Sequence, residues 1–451
     1  MSSFSTVNPA TGDTLKTYQH VTWDEAQKAI QAASQDFQIW RKASWEERSQ
    51  ALHKLAAALR EHKTEFAQMM NQEMGKLLSE GKAEIEKCAV TCEFYAKEAP
   101  GMLRNQPAVS SPYTSAEVSF QPLGVVFSIM PWNFPVWQTI RFAAPALMAG
   151  NVIVLKHADL TAGTAELLGK IFADITPNYK LLRNIQVDHE VAAQVIADAN
   201  VRGVTFTGSS AGGRAVATEA AKNLKKIVLE LGGSDAYLVL DDADIEMAAK
   251  TCVKARLVNC GQSCVAGKRF IVDEKVSKEF IDIFVREMKA AEIAPLASVK
   301  FQKQIMEQVE KLKSWGGKVV LGGSAPQGAG AFYPATVIVF EKDHPELHKM
   351  EVFGPVASIL VVKNTQEALK AANSSPYGLG GGIFTRDLKK GKELIEKELQ
   401  AGFVVVNDYV KSDPRIPFGG VKESGYGREL GHFGILEFVN IKTVAVAGEM
   451  K

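Results

Sequence analysis

The sequence has few of the residues that mark secreted, metal-binding or membrane proteins. Five cysteines in 451 residues do not make a disulfide framework, which favours a reducing, cytoplasmic compartment. Eight histidines are scattered, and Pro345 interrupts the pair His344 and His348, so the zinc motif H-E-x-x-H is missing. No apolar run reaches the roughly 18 residues of a membrane helix, and the first residues lack a secretory pattern. We therefore expect no metal and no membrane contact.

An excess of one charge is also lacking. The 52 basic residues are balanced by 51 acidic ones, which gives a formal net charge of +1. Proteins that bind nucleic acid usually show a basic patch or stripe, so we expect no nucleic-acid partner. Apolar residues make up 46% of the chain and charged residues 23%, as in ordinary globular proteins. The length suggests two or three domains.

The hydrophobic pattern changes along the chain. In the first hundred residues it is helical, and Ser44 with Glu47 forms a predicted capping box. From residue 123, short apolar runs such as LGVVFSIM and NVIVL alternate with helical stretches, which indicates buried parallel strands with helical crossovers. A second series of this kind follows Gly233. The sequence thus predicts an α/β protein with two open parallel-sheet domains.

Three of the cysteines have the spacing of packed helix faces. Cys88 and Cys92 share a face with Ile85 and Ala89, and this spacing suits either a metal pair or a packed core. Core packing is favoured because no further ligand lies nearby in the sequence. Cys252 also fits a buried helix face.

The stretch FTGSSAGGRA, residues 206–215, follows an apolar strand and opens a helix. Gly208 and Gly213 have the spacing of a P-loop, but Arg214 and Ala215 replace its lysine and hydroxyl residue, which excludes a nucleoside-triphosphate site. The G-x-G-x-x-G fingerprint is missing as well. The turn would expose backbone N–H groups suited to a pyrophosphate, although a turn made only for chain reversal has the same composition.

The stretch LKHADL, residues 155–160, comes at the end of an apolar strand. Lys156 and Asp159 would stand where open α/β sheets bind nucleotide riboses. An acidic group there accepts hydrogen bonds from ribose hydroxyls and repels a 2′-phosphate, which favours NAD over NADP. A solvated lysine and a helix-capping aspartate remain the alternative.

Three further stretches contain candidates for catalysis. Asn133 lies in the proline-stiffened loop MPWNFPVWQTIR and is either a fixed oxyanion donor or a turn residue. Glu230 ends an apolar strand in VLELGGSD, where it is either a base with a raised pKa or a solvated strand end. NCGQSCVAGKR, residues 259–269, contains Cys260 and Cys264, and each is either an activated thiol or an inert buried cysteine.

Taken in order, these motifs resemble the aldehyde dehydrogenase superfamily. They are PWNFP, LK with an acidic residue three positions on, FTGS with a second glycine five on, LELGG, N-x-GQ-x-C, EVFGP, VVVN and PFGGVKESGYGRELG. The resemblance extends from about residue 5 to the C-terminus. LELGGSD and LKHA look most like the short bacterial succinate-semialdehyde dehydrogenases.

The resemblance implies oxidation of an aldehyde, succinic semialdehyde in particular, with NAD or alternatively NADP. Cys264 would form a thiohemiacetal and then a thioester, Asn133 would stabilise the oxyanion, and Glu230 would activate the hydrolytic water. Arg141 matches an arginine that binds the substrate carboxylate, unless it is an exposed helix residue. The implied cofactor contacts are Trp132, Lys156, Asp159, Gly208, Ser209, Gly213, Glu351 and Phe353.

The sequence departs from the family pattern at several positions. Phe142 replaces a lysine that is linked to proton relay in many members. Val258 stands where some members carry a second substrate-binding arginine, which leaves Arg256 and Arg415 as candidates for a second cation. Cys260 occupies a position that is variable in the family. A further hypothesis is that it forms a reversible disulfide with Cys264 under oxidant.

The resemblance also implies a domain organisation. Residues 1–103 and 123–229 would form the NAD-binding domain, residues 230–432 the catalytic domain, and residues 104–122 and 433–451 a small β oligomerisation arm. The segment VNIKTVAVA would expose a strand edge in a monomer, so we expect a homodimer or homotetramer. The alternatives left open are another small aldehyde, a CoA-acylating aldehyde dehydrogenase, which Glu230 disfavours, and a non-catalytic binding protein on this fold.

Overall fold

The computed structural model describes residues 2–108 and 112–448. The strands in this part of the chain are β1 (Ser3–Val7), β2 (Thr14–Gln19), β3 (Gln106–Pro107), β4 (Ser115–Pro122), β5 (Val125–Met130), β6 (Val152–His157), β7 (Leu182–Asn184), β8 (Val201–Thr207), β9 (Lys226–Glu230), β10 (Asp235–Val239), β11 (Gly267–Asp273), β12 (Lys318–Leu321), β13 (Thr336–Phe340), β14 (Val356–Val362), β15 (Tyr377–Gly378), β16 (Gly380–Phe384), β17 (Phe403–Val406), β18 (Val421–Lys422), β19 (Gly425–Tyr426) and β20 (Val439–Val446).

The α-helices in the same residues are α1 (Trp23–Trp40), α2 (Trp45–Glu61), α3 (Lys63–Met74), α4 (Leu78–Met102), α5 (Pro135–Met148), α6 (Ala162–Ile175), α7 (His189–Ala197), α8 (Ser210–Lys222), α9 (Ile245–Leu257), α10 (Glu274–Ala290), α11 (Val299–Ser314), α12 (Thr365–Asn373), α13 (Leu388–Lys397) and α14 (Gly431–Ile435). Short 3₁₀ helices occur at Asp159–Thr161, Val258–Gly261 and Pro345–His348.

The first hundred residues are helical except for a hairpin that the sequence analysis missed. β1 and β2 pair antiparallel and are largely exposed, so no buried face marks them in the sequence. The predicted capping box is confirmed at the start of α2. The Ser44 hydroxyl accepts the Glu47 N–H at 3.2 Å, and the Glu47 carboxylate accepts the Ser44 N–H at 2.7 Å. Cys88, Cys92 and Cys252 are fully buried in the cores, which confirms the packing interpretation.

Two open sheets carry the fold, as the sequence predicted. The first has the strand order β19-β9-β8-β5-β6-β7, parallel except for β19, and the second has the order β12-β13-β14-β11-β10-β16-β17, parallel except for β12. Strands such as β6 and β11 are buried along their whole length, which explains their continuous apolar sequences. β19 covers the edge of β9, so residues 425–426, which the sequence assigns to the catalytic domain, pair with the first sheet.

A third, antiparallel sheet has the order β20-β4-β3. Its strands fall in the ranges predicted for the oligomerisation arm, of which residues 109–111 and 449–451 lie outside the described residues. Every residue of β20 after Val439 is exposed. Among the described helices, none combines the length and apolarity needed to cross a bilayer.

Candidate active site

The predicted site forms at the carboxyl ends of neighbouring strands in the first sheet. β5 pairs with β6 on one side and with β8 on the other, so the order of the strands reverses at β5. Trp132 and Asn133 follow β5, and Gly208 and Ser209 follow β8. Open α/β sheets bind ligands at such a topological switch point. The loops predicted from the sequence therefore border one crevice.

The turn between β8 and α8 lets the backbone pack closely. A Cβ atom at Gly208 would collide with the ring of Phe206, and one at Gly213 would collide with the side chain of Leu231. Ser209 is the N-cap of α8, and its hydroxyl accepts the Gly212 N–H at 3.2 Å. The remaining N–H groups of the first turn and the positive end of the helix dipole suit a pyrophosphate.

A cavity of about 260 Å³ opens beside this turn. The sequence-predicted residues in its wall are Trp132, Asn133, Gly208, Ser209, Glu230, Cys264, Glu351 and Phe353. The ring of Trp132 packs 4.8 Å from that of Phe301 and 5.8 Å from that of Phe353, which gives an apolar wall suited to a flat ring. Phe301 was missed because it lies in α11, outside every recognised motif. The wall fits a nicotinamide dinucleotide.

Lys156 and Asp159 lie at the end of β6 and do not line this cavity. The Asp159 carboxylate accepts from Gln186 Nε2 at 2.7 Å and lies 3.3 Å from His20 Nε2, while Lys156 Nζ is 4.0 Å away. Asp159 does not cap the next helix, because the N-cap position is Ala158. The carboxylate is held at the strand end where a ribose would bind.

The loop before Cys264 has an unusual backbone. Asn259, Cys260 and Gly261 have φ angles of 51°, 52° and 78°, in the left-handed region. Buried cations fix its carbonyl groups: Arg256 donates to Gly261 O at 2.7 Å, and Lys268 Nζ donates to Cys264 O at 2.6 Å. Arg256, a candidate for the second substrate cation in the sequence, therefore stabilises the loop from within the core.

Cys264 lies where two cavities meet. It and Gln138 line both the first cavity and a second one of about 330 Å³. Burial raises the pKa of the Cys264 thiol to about 11, although the charges of Arg141 and Lys268 act in the opposite direction. The resting thiol is therefore protonated at neutral pH, and its proton must leave before it can attack a carbonyl carbon.

Cys260 has a different environment. Its sulfur accepts the Ala294 N–H at 3.1 Å, and burial raises the pKa of its thiol to about 12. It lines neither of the two cavities. This packing is typical of an inert cysteine, and the hypothesis of a disulfide with Cys264 gains no support from it.

Glu230 ends β9 and is buried, which excludes the solvated alternative. Among the described residues neither of its carboxylate oxygens has a hydrogen-bond partner. Burial raises its pKa well above the ordinary value, Arg141 acts against this, and Glu429 adds to it. A carboxyl group with a raised pKa is suited to take a proton from water near neutrality. Glu351, in the same cavity, accepts the Gly233 N–H at 3.0 Å.

Asn133 is held rigidly near the nucleophile loop. Its backbone carbonyl accepts from Asn259 Nδ2 at 2.9 Å, and its own Nδ2 donates to Gln262 O at 3.0 Å. An amide nitrogen carries two N–H donors, so a second one is left for a ligand. The alternative of a solvated turn asparagine is excluded, because the side chain is buried.

Arg141 lines the second cavity but is not a free cation. It forms a buried ion pair with Glu429, and its guanidinium carbon lies 4.8 Å from the centre of the Phe418 ring. The alternative of an exposed helix arginine is excluded.

Arg415 is exposed and bonds to Asp413 at 2.8 Å, so it does not supply the second cation either. Phe142 packs against Phe438, which leaves no proton-transfer group at that position.

The remaining wall of the second cavity is aromatic and charged. Its other lining residues include Phe134, Trp137, Tyr409 and Phe418, with Glu80, Glu84, Lys87, Lys411 and Ser412. Lys87 is not among the predicted site residues, because in the sequence α4 shows only the pattern of a packed helix. In the part of the chain that the structure describes, no group of three or more His, Cys, Asp or Glu residues is placed to hold a metal ion.

The protein has two open α/β sheets, and at the edge of the first sheet a cysteine lies between two cavities, near a buried carboxyl group. This arrangement is typical of α/β enzymes that use a cysteine nucleophile together with a nucleotide coenzyme. The aldehyde dehydrogenase family model matches residues 1–444, and the chain belongs to this family. It is 39% identical over 448 residues to succinate semialdehyde dehydrogenase [NAD(P)+] of Escherichia coli K12, which covers 97% of this chain and 96% of that protein. It is 41% identical over 455 residues to a probable succinate-semialdehyde dehydrogenase [NADP(+)] of Synechocystis, covering 99% and 100%.

Solved structures agree with this assignment. The crystal structure of succinic semialdehyde dehydrogenase from Streptococcus pyogenes in complex with NADP+ superposes with a TM-score of 0.94 at 35% identity, covering 99% of this chain and 100% of the other.

Proposed function

We propose that the protein oxidises succinic semialdehyde to succinate with NAD(P)+ as the oxidant. The observation that carries this proposal is the position of Cys264, between a cavity suited to a dinucleotide and one whose wall includes the cations Lys87 and Arg141. The relatives named as succinate-semialdehyde dehydrogenases, at 39% and 41% identity over nearly the whole chain, support it.

The residues of the site account for both halves of the reaction. The Cys264 thiolate adds to the aldehyde carbon, and the oxyanion accepts hydrogen bonds from the free N–H of Asn133 Nδ2 and from a backbone N–H. The bound nicotinamide coenzyme supplies the acceptor for the hydride of that carbon. Cys264 then holds the acyl group as a thioester, and Glu230 takes a proton from the water that hydrolyses it. A thioester suits this step because it is hydrolysed more readily than an ester.

The residues that would hold the coenzyme are those predicted from the sequence. The α8 N-terminus with Gly208, Ser209 and Gly213 would bind the pyrophosphate, and Trp132, Glu351 and Phe353 would contact the nicotinamide end. Lys156 and Asp159 would contact the adenine ribose. The Asp159 carboxylate favours NAD, with NADP as the alternative coenzyme.

Two other functions have less support from the site. A CoA-acylating enzyme would release the acyl group to a thiol, so it would not need the buried Glu230 carboxyl beside the cysteine. Measuring the product with and without CoA distinguishes the two reactions. A non-catalytic binding protein would have no use for Cys264, Glu230 and Asn133 in one crevice.

A panel of aldehydes assayed by NADH or NADPH absorbance tests the proposal. We expect the highest kcat/KM for succinic semialdehyde, a lower value for butanal, and a preference for NAD. A higher kcat/KM for uncharged aldehydes than for succinic semialdehyde would contradict the proposed substrate.

We further propose a homodimer or homotetramer in the cytoplasm, with no nucleic-acid or membrane partner. The exposed strand β20, with Ile441 and Val444 on its surface, supports association. The five free cysteines support a reducing compartment.

A further inference from the structure

The charged side chains that line the second cavity are mostly compensated within the protein. Arg141 pairs with Glu429, and Lys411 Nζ lies 2.9 Å from both carboxylate oxygens of Asp408. Glu84 pairs with Lys76 and also accepts the N–H groups of Val136 and Trp137, each at 2.9 Å. None of these groups offers a net charge to a ligand.

Two charged groups among the described residues of this wall lack an oppositely charged partner, Glu80 and Lys87. One carboxylate oxygen of Glu80 accepts the Asn259 N–H at 2.9 Å, the other has no hydrogen-bond partner, and burial raises the pKa of this carboxyl group, which favours its neutral form. Lys87 is the cation of the two. Its Nζ donates to the Ser412 hydroxyl at 2.7 Å and lies 4.0 Å from the centre of the Trp137 ring. No carboxylate oxygen of the described residues lies within 4.0 Å of this nitrogen. A lysine ammonium carries three N–H donors, so donors remain for a group in the cavity. Half-buried and without a carboxylate partner, Lys87 is the uncompensated positive charge in this wall.

We propose that Lys87, together with the Ser412 hydroxyl, binds the far carboxylate of the substrate and selects short aldehydes that carry a carboxylate at the end opposite the carbonyl. This inference rests on the proposed function and deepens it. Cys264 and Lys87 line the same cavity. Cys264 would bond to the carbonyl carbon of the substrate, while Lys87 would bind the carboxylate at the other end of the molecule. The wall between them contains Phe134, Trp137 and Phe418, which suit a short methylene chain.

Electrostatics explain why Lys87 rather than Arg141 supplies the attraction. A carboxylate placed beside Arg141 would also meet the charge of Glu429, so the pair as a whole attracts it weakly. A carboxylate beside Lys87 forms a charge-assisted hydrogen bond with a cation that has no carboxylate partner of its own. Arg141 then contributes as a nearby hydrogen-bond donor and as part of the cavity wall.

The titration of Lys87 gives an independent readout. Burial lowers the pKa of Lys87 to about 8, and the positive charge of Arg141 acts in the same direction. The nearby groups of Cys88, Glu84 and Asp413 act in the opposite direction. The ammonium is present below this pKa and is lost as the pH rises through it. Binding of a carboxylated aldehyde to the free enzyme should therefore weaken from about pH 7 to pH 9, whereas binding of butanal should lack this component.

The test compares three variants of the full-length enzyme with succinic semialdehyde and with butanal. Lys87→Met removes the charge. Lys87→Arg keeps a positive charge that does not titrate between pH 7 and pH 9. Lys411→Met is the matched control, because Lys411 is a lysine of the same cavity that is already paired with a carboxylate. Lys87→Met should reduce the ratio of kcat/KM for succinic semialdehyde to that for butanal by about 10- to 100-fold, chiefly through KM. Lys411→Met should change the ratio by less than about fivefold.

Lys87→Arg should retain most of the selectivity and abolish the alkaline loss of the ratio. If Lys87→Met changes both aldehydes equally while the unmodified enzyme prefers succinic semialdehyde, the assignment of Lys87 is wrong and the proposed function stands. If the unmodified enzyme itself shows no such preference, the proposed function fails. Equal losses in Lys87→Met and Lys411→Met would also overturn the assignment.

Discussion

Arg141 and Glu429 form an ion pair behind the catalytic crevice, with side chains only 2% and 3% exposed. Glu230 is influenced by both members of the pair, since Arg141 lowers its pKa and Glu429 raises it. The pair therefore connects the wall of the substrate cavity to the carboxyl group that we propose as the general base.

Replacing Arg141 tests its contribution to the cavity. Arg141→Ala should raise KM for succinic semialdehyde moderately more than for butanal, because a donor is lost from the wall although Glu429 already offsets its charge. It should also lower the free energy of unfolding by about 3–5 kcal/mol, since Glu429 stays buried without its partner. Denaturant unfolding and steady-state kinetics measure the two effects. An Arg141→Met, Glu429→Gln double variant controls for the buried charge, and equal changes in KM for both aldehydes would remove Arg141 from carboxylate binding.

Asn133→Ala should lower kcat by about 10²- to 10³-fold, the usual effect of losing one oxyanion donor. The rate of alkylation of Cys264 by iodoacetamide serves as the control, because alkylation develops no oxyanion and reports only whether the nucleophile loop is intact. A kcat that stays within about twofold of the original value would show that the Asn133 amide does not stabilise the transition state.

The pH dependence follows from two raised pKa values. The Cys264 thiol, with a pKa of about 11, and the buried Glu230 carboxyl both hold protons that catalysis must remove. The rate of butanal oxidation should therefore rise with pH through the neutral and alkaline range, and butanal avoids any contribution from a substrate carboxylate. Stopped-flow and steady-state rates from pH 6 to 10 check this, and a rate that falls above pH 7 would contradict it.

The sequence predicted the features that depend on local pattern and on motif order. The parallel strands followed from continuous apolar runs such as NVIVL, and the loops at the ends of β5 and β8 followed from motifs that lie next to those strands. The β1–β2 hairpin was missed because both strands are exposed and show no buried face.

Features made by distant residues could not be predicted. Glu429 reaches Arg141 only in the folded chain, and Arg256 was considered as a substrate cation although it bonds to Gly261 O in the core. Lys87 lies next to Cys88 on α4, and the sequence of this helix shows only the face that packs into the core. Its exposure to the cavity depends on the segment that carries Ser412, far along the sequence.

The central claim is that Cys264 carries the acyl group that Glu230-activated water removes. Glu230→Gln keeps the shape of the side chain but cannot take a proton from water. Mixing this variant with succinic semialdehyde and NAD should therefore give a rapid burst of about one NADH per active site. The turnover that follows should be slowed by about 10²- to 10⁴-fold. Mass spectrometry of the quenched protein should find the succinyl group on Cys264, and Cys264→Ala should give neither burst nor adduct. A full turnover rate in Cys264→Ala, or an adduct on a different residue, would contradict the account.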